Sequence, residues 1–207
     1  FSAVTLNTNT TVDVTFDEVV STSTGGIVAL VASDFLIDVS VSSGNGSVTG
    51  ETDIVPSGIS DLGSNVYRLT FAYTGTPDGS ETVTVNPADG SSIYDASDLA
   101  ASADQSGVDN TATLNDATNP VFTAVTLNTN TTVDVTFDEA VFNATGGSGA
   151  LEASDFLIDV SVSGVNGSVT GGTDIVPSGI SAEGSNVYRL TFAYTGTPDG
   201  SETVTVN

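Results

Sequence analysis

The chain has 207 residues, room for two domains of ordinary size, and sets 26 Asp plus Glu against two arginines for a formal charge of −24. With no Cys, His, Lys, Met or Trp, it cannot build a zinc site of the usual ligands, a Ser/His/Asp triad, a thiol nucleophile, a Schiff base or a P-loop lysine. The acidic balance repels phosphate backbones, which argues against nucleic acid, and attracts hard cations, chiefly calcium.

Hydrophobic residues make up 38% of the chain, with Val, Thr, Gly and Ser prominent, a composition suited to strands and sufficient for two small cores. Residues 3–7 place Val4 and Leu6 on one face of a first strand. A polar turn at 7–10 leads to residues 11–16, where Val12, Val14 and Phe16 point inward and Asp13 outward. This period of two predicts a half-buried antiparallel strand. Asp17 and Glu18 close it. Residues 19–33 lack a clear period and read as an exposed crossover.

Asp34 then opens a strand over 35–41, with Phe35, Ile37, Val39 and Val41 inward and Asp38 outward. A glycine turn at 43–46 and short strands at 47–49 and 53–55 follow. Residues 65–86 predict a hairpin: Tyr67, Leu69, Phe71 and Tyr73 alternate with Arg68, Thr70 and Ala72, TGTPDGS makes a wide turn, and Val83 and Val85 line the return. Arg68 faces out of its strand, and a cross-strand carboxylate is the expected partner. Residues 87–107 are loop-like and carry Asp89, Asp95, Asp98 and Asp104. Residues 110–114 offer a last strand with Ala112 and Leu114 inward, and 117–121 form a linker.

The chain then repeats itself. Residues 1–86 and 122–207 align without a gap at a spacing of 121, and 13 of the 86 positions differ. Self-similarity at a fixed period marks a tandem array. The differences concentrate in the crossover, where Ile27, Val28 and Val31 become Ser148, Gly149 and Glu152, changes a core would tolerate poorly. The second copy stops before a counterpart of 110–114, so its sandwich is expected to lack a strand and expose an edge. Either the chain continues or a neighbouring molecule donates that strand. Phe1 begins inside one repeat and Asn207 ends inside another, so the sequence reads as a piece of a longer chain. No apolar run reaches the roughly 18–20 residues of a membrane helix, and no signal peptide is present.

Short antiparallel strands without a helical period predict an all-β chain of two β-sandwich repeats, at 1–116 and 122–207. In order, the motifs TVDVTFDEAV, ASDF, NVYRLTF, GSETVTVNP, SIYDASD and LNDATNPVF resemble the bacterial Ig-like repeats of giant surface proteins and adhesins. The resemblance spans the whole chain and implies tandem Ig-like sandwiches arranged end to end in an extracellular, cell-surface stalk or filament. The alternative it leaves open is an adhesin module that binds a glycan or protein through its loops. Repeats of this type often carry D-A-x-G-N where Asp95–Leu99 lie, but Ser97-Asp98-Leu99 stands in place of that Gly-Asn ending.

Paired carboxylates such as Asp17 with Glu18, or Asp95 with Asp98, suit glycoside hydrolysis only across a cleft with a sugar platform, and Trp is absent, so no enzyme is expected. Calcium suits the acids better. Strand parity brings Asp17, Glu18, Asp89, Asp95 and Asp98 to the N-terminal end of the first sandwich and Asp78 to the far end. Asn115, Asp116 and Asn119 of the linker are then expected to meet Asp138, Glu139 and Asp155 of the next repeat at a calcium joint, together with Asp78. Asp17, Glu18 and Asp34 would serve a preceding joint. Six to eight oxygens from carboxylates, Asn and carbonyls supply such a site. The competing reading is that these are solvated loop acids and Asx turns.

Overall fold

The computed structural model describes residues 1–26, 28–41, 46–105, 110–162 and 168–207. It is all-β and divides into two units, Phe1–Thr118 and Asn119–Asn207, a boundary inside the expected linker. Ile27 and most of the glycine turn expected at 43–46 lie outside the described residues, as does the end of the loop expected at 87–107.

Unit 1 is built from β1 (Ala3–Thr8), β2 (Thr11–Thr15), β3 (Val20–Ser21), β4 (Phe35–Ser40), β5 (Glu51–Ile54), β6 (Gly58–Gly63), β7 (Val66–Thr70), β8 (Thr82–Pro87), β9 (Tyr94–Asp95) and β10 (Thr111–Thr113). Two antiparallel sheets, β1-β2-β7-β6 and β10-β8-β4-β5, share one core, an arrangement consistent with a β-sandwich, and a two-stranded β3-β9 ribbon flanks them. Val12, Val14 and Leu69 come from the first sheet and Phe35, Ile37, Val83 and Val85 from the second, all fully buried. The alternation seen in the sequence is the cause: every second residue of β2, β4 and β8 turns inward.

Four expectations need correction. The hairpin over 65–86 does not form, because β7 pairs with β2 and β6 while β8 pairs with β4 and β10 in the opposite sheet. Residues 71–81 therefore cross between the sheets. The true hairpin lies one element earlier, β6 to β7, with Gly63 opposite Val66 and Ser64 and Asn65 at φ 54° and 60°. Two consecutive positive φ values in a two-residue loop are the primed turn that matches strand twist. Val41 is exposed, since β4 ends at Ser40. Residues 47–49 are not a strand; Ser47 and Thr49 instead donate backbone bonds to Thr76 and Thr74 of the crossover. Finally, the crossover at 19–33 is less uniformly exposed than expected, since Leu30 and Ser21 are buried while Val19, Val28 and Val31 are exposed.

Unit 2 repeats the plan with β11 (Phe122–Thr129), β12 (Thr132–Phe137), β13 (Ile158–Ser161), β14 (Gly172–Ile175), β15 (Gly179–Gly184), β16 (Val187–Thr191) and β17 (Thr203–Val206). Its first sheet, β11-β12-β16-β15, matches that of unit 1. Its second, β14-β13-β17, has three strands, with β17 at the edge where unit 1 adds β10.

Candidate functional site

The carboxylates expected to bind metal are placed one unit at a time. After β2 the chain bends, and Asp17 and Glu18 line a cleft of about 230 Å³ together with Asp95. Phe1, Phe16, Ile93 and Tyr94 supply its apolar wall. Parity reasoning from the sequence thus brings these three acids to one end of unit 1. Asp34 and Asp89 share that end, where the Ala88 N–H donates to the Asp34 carbonyl (2.7 Å). The aromatic wall was not foreseen. Its signal was there, in the F-S-A-V start and the S-I-Y triplet, but Phe1 precedes the first expected strand at 3–7 and the triplet lies in the expected loop at 87–107.

Most of these acids are already at work inside their own loops. Asp95 accepts the Ser97 and Leu99 N–H groups at 2.7 and 2.8 Å, holding the turn that carries β9 onward. Asp98, at φ 62°, accepts the Gly25 N–H at 2.6 Å and ties the crossover loop to that turn. Asp34 accepts the Val31 N–H at 2.8 Å at the start of a single 3-10 turn, and Asp155 does the same for Glu152 at 2.7 Å. A carboxylate that caps its own turn in this way is the Asx-type clip expected of loop aspartates.

At the far end of unit 1, Asp78 accepts from Gly46 (3.0 Å) and from the backbone and hydroxyl of Ser80, and the Ser80 hydroxyl foremost holds its carboxyl below the ordinary value. Buried Glu81 accepts the Asp78 N–H, a structural role the sequence reading missed because it counted only the aspartate of the turn. Asn115 exchanges two bonds with Asn9 (2.7 and 2.8 Å), and Asp116 accepts the Thr118 N–H and hydroxyl, both at 2.8 Å. In unit 2, Asp138 accepts the Val121 N–H at 3.0 Å, Glu139 is half-buried beside it in sequence, and Asn119 is exposed. Among the described residues no three carboxylates gather as a group that could hold a metal ion. The expected joint set is divided, with Asp78, Asn115 and Asp116 on unit 1 and Asn119, Asp138, Glu139 and Asp155 on unit 2.

The two arginines find the partners expected of them. Arg68 grips Asp13 through two bonds of 2.7 Å, and Arg189 grips Asp134 through two of 2.8 Å, each pair directly opposite across neighbouring strands. The fork matches the carboxylate and fixes strand register more than it adds stability, since both pairs are partly solvated. Arg189 holds the Asp134 carboxyl below its ordinary value, so this contribution is present above the ordinary carboxylate value and is lost as pH falls from there through the lowered folded-state value.

Asp34 behaves oppositely. Burial pushes its carboxyl above the ordinary value, the Val31 N–H bond opposes that, and the charge of Asp89 adds to the push. A raised folded-state pKa means stability that is complete at low pH and is lost as pH rises through that pKa. Asp34→Asn keeps an acceptor for Val31 and removes the charge. The expected result is a unit-1 urea midpoint that changes less between pH 4 and 7 than that of the parent. An equal or larger pH response would show that Asp34 does not carry it. No helix among the described residues is long and apolar enough to cross a membrane. Comparison with known protein families, curated proteins and solved structures finds no match to this chain.

Proposed function

We propose that the chain is a structural extender, a run of tandem Ig-like sandwiches joined end to end in a stalk or filament on a bacterial surface. The observation that carries this reading is the near-identity of the two units, 73 of 86 aligned positions, including loop positions that a recognition module would diversify. Carboxylates that clip their own loops suit a chain selected for uniform, soluble, repeated units. Calcium belongs to the proposal through its chemistry: residues 115–119, Asp138 and Glu139 offer the hard oxygen donors the ion takes. A second reading, a ligand-binding adhesin module, is favoured by one feature, the cleft of unit 1 with its aromatic wall and its lip of Asp17, Glu18 and Asp95.

One set of measurements separates them. The extender is expected to give no saturable signal on a glycan array, and to melt higher and scatter as a stiffer particle in millimolar calcium than in chelator. Micromolar binding of a glycan would replace the stalk with the adhesin. Scattering and melting indifferent to calcium would remove the metal and leave the stalk.

A further inference from the structure

β1 opens unit 1, and β10 is its last strand before the chain passes to unit 2. Each borders one of the two sheets: β1 bonds β2 alone and β10 bonds β8 alone. The two lie side by side and point the same way. At their starts, the Phe1 and Phe35 ring centres are 6.3 Å apart, Leu36 pairs with Asn86, and Asn86 accepts from the Asn110 side chain at 3.0 Å. At their ends, Asn9 in the turn after β1 meets Asn115 just past β10.

That meeting ties one sheet to the other by hydrogen bonds. The Asn9 amide donates to the Asn115 carbonyl at 2.8 Å, and its oxygen accepts the Asn115 N–H at 2.7 Å. One side chain thus satisfies both backbone groups of a residue in the segment that leaves the unit. Within its own sheet that segment is held by the Leu114 N–H on the Glu81 carbonyl (3.0 Å) and the Ala117 N–H on the Pro77 carbonyl (2.9 Å). Between the sheets the core is apolar, with Val12, Val14 and Leu69 facing Phe35, Ile37 and Val83. Apolar contact is non-directional and resists sliding weakly, whereas a hydrogen bond fixes distance and angle.

Direction decides what the tie does. Ladder bonds lie across the strands, so tension along a strand loads them together and not one at a time. Tension between the start of β1 and residues 115–118 draws the two strands in opposite senses. Asn9 and Asn115 sit where those pulls diverge, so their two bonds are stretched directly. We infer that the Asn9–Asn115 pair is a mechanical latch, which fastens the strand that opens unit 1 to the segment that leaves it and resists tension along the chain. Its use rests on the extender reading, since a stalk is pulled from both ends; its mechanics do not.

The test pulls the full chain between handles at Phe1 and Asn207 and records the unfolding of each unit. Unit 1, Phe1–Thr118, is the longer, so its event gives the larger gain in extension. Asn9→Ala is expected to raise the unit-1 unfolding rate at a fixed load about tenfold, as the loss of two bonds absent from the transition state requires, and to leave the unit-2 event in place. Asn9 lies in a turn outside the core, so the variant keeps its fold, which circular dichroism checks. Asn115→Ala should change neither event, because both bonds use the Asn115 backbone. A second geometry separates a latch from general stability. The chain has no Cys, so Ser64→Cys in the β6–β7 turn gives a unique handle, and pulling between Phe1 and that handle keeps the load within the first sheet. There Asn9→Ala is expected to act several-fold less. Three results would overturn the inference: a unit-1 rate that Asn9→Ala leaves alone, an equal effect in both pulling geometries, or an effect of Asn115→Ala as large as that of Asn9→Ala. Each would leave the stalk itself standing, which the glycan-array and scattering measurements decide.

Discussion

Phe35→Ala is expected to destabilise unit 1 by about 3–5 kcal/mol, the usual cost of emptying a buried phenylalanine site. Phe35 is fully buried, with Phe1 and Phe16 at 6.3 and 6.4 Å between ring centres, so a cavity there meets rigid aromatic walls that collapse poorly. Phe156 is its counterpart, 3% exposed and 6.3 Å from Phe137. Each unit has its own core, so the two substitutions should move different transitions in urea unfolding followed by circular dichroism. Phe35→Ala lowers one midpoint and leaves the other in place; Phe156→Ala does the reverse. A single transition shifted by either change would mean that the units unfold as one body.

Gly75→Ala is expected to rival that loss, at about 3 kcal/mol or more, although it adds only a methyl. Gly75 sits at φ 110° in the crossover between the sheets, a conformation that L residues rarely adopt and that costs about 1–3 kcal/mol for them. Its new Cβ would also strike the Ser47 carbonyl and lie 2.7 Å from Val48 Cα, backbone that cannot swing aside. Overpacking of that kind adds about 1–3 kcal/mol. Gly63→Ala is the control, since it has a positive φ but nothing within 4 Å, and strain alone should act there. Equal losses at the two positions would show that the collision with Ser47 contributes nothing.

The fold was legible where side chains alternate and obscure where backbone conformation decides. Val12, Val14, Phe35, Ile37, Val83 and Val85 announced their burial because a period of two leaves no other arrangement. The wrong hairpin arose because residues 65–86 show two alternating runs around a Pro-Gly turn, which looks the same whether the runs pair or sit in opposite sheets. Gly63-Ser64-Asn65 held the real turn. Its flank, β6, is mostly exposed and carries little apolar pattern, so nothing marked it as a strand.

The acids show a similar divide. Parity placed Asp17, Glu18 and Asp95 at one end because strand direction alone fixes it. What each carboxylate bonds was out of reach, since Asp98 meets Gly25 across 73 residues through loop geometry that no spacing encodes. Val125 and Leu127 of unit 2 are exposed, where their unit-1 counterparts Val4 and Leu6 are buried and half-buried.

The chain's only two basic side chains have a consequence for proteolysis. Trypsin-like enzymes cut after Arg or Lys, so their only targets are Arg68 and Arg189, one per unit. Both sit in strands paired on two sides, their guanidinium groups clasped by Asp13 and Asp134. Reaching either bond requires opening the sheet around it, so cleavage follows the open population of that unit and not the fraying of loops. In the folded state the chain offers such an enzyme no loop to nick, and each cut, when it comes, reports the opening of one identified unit.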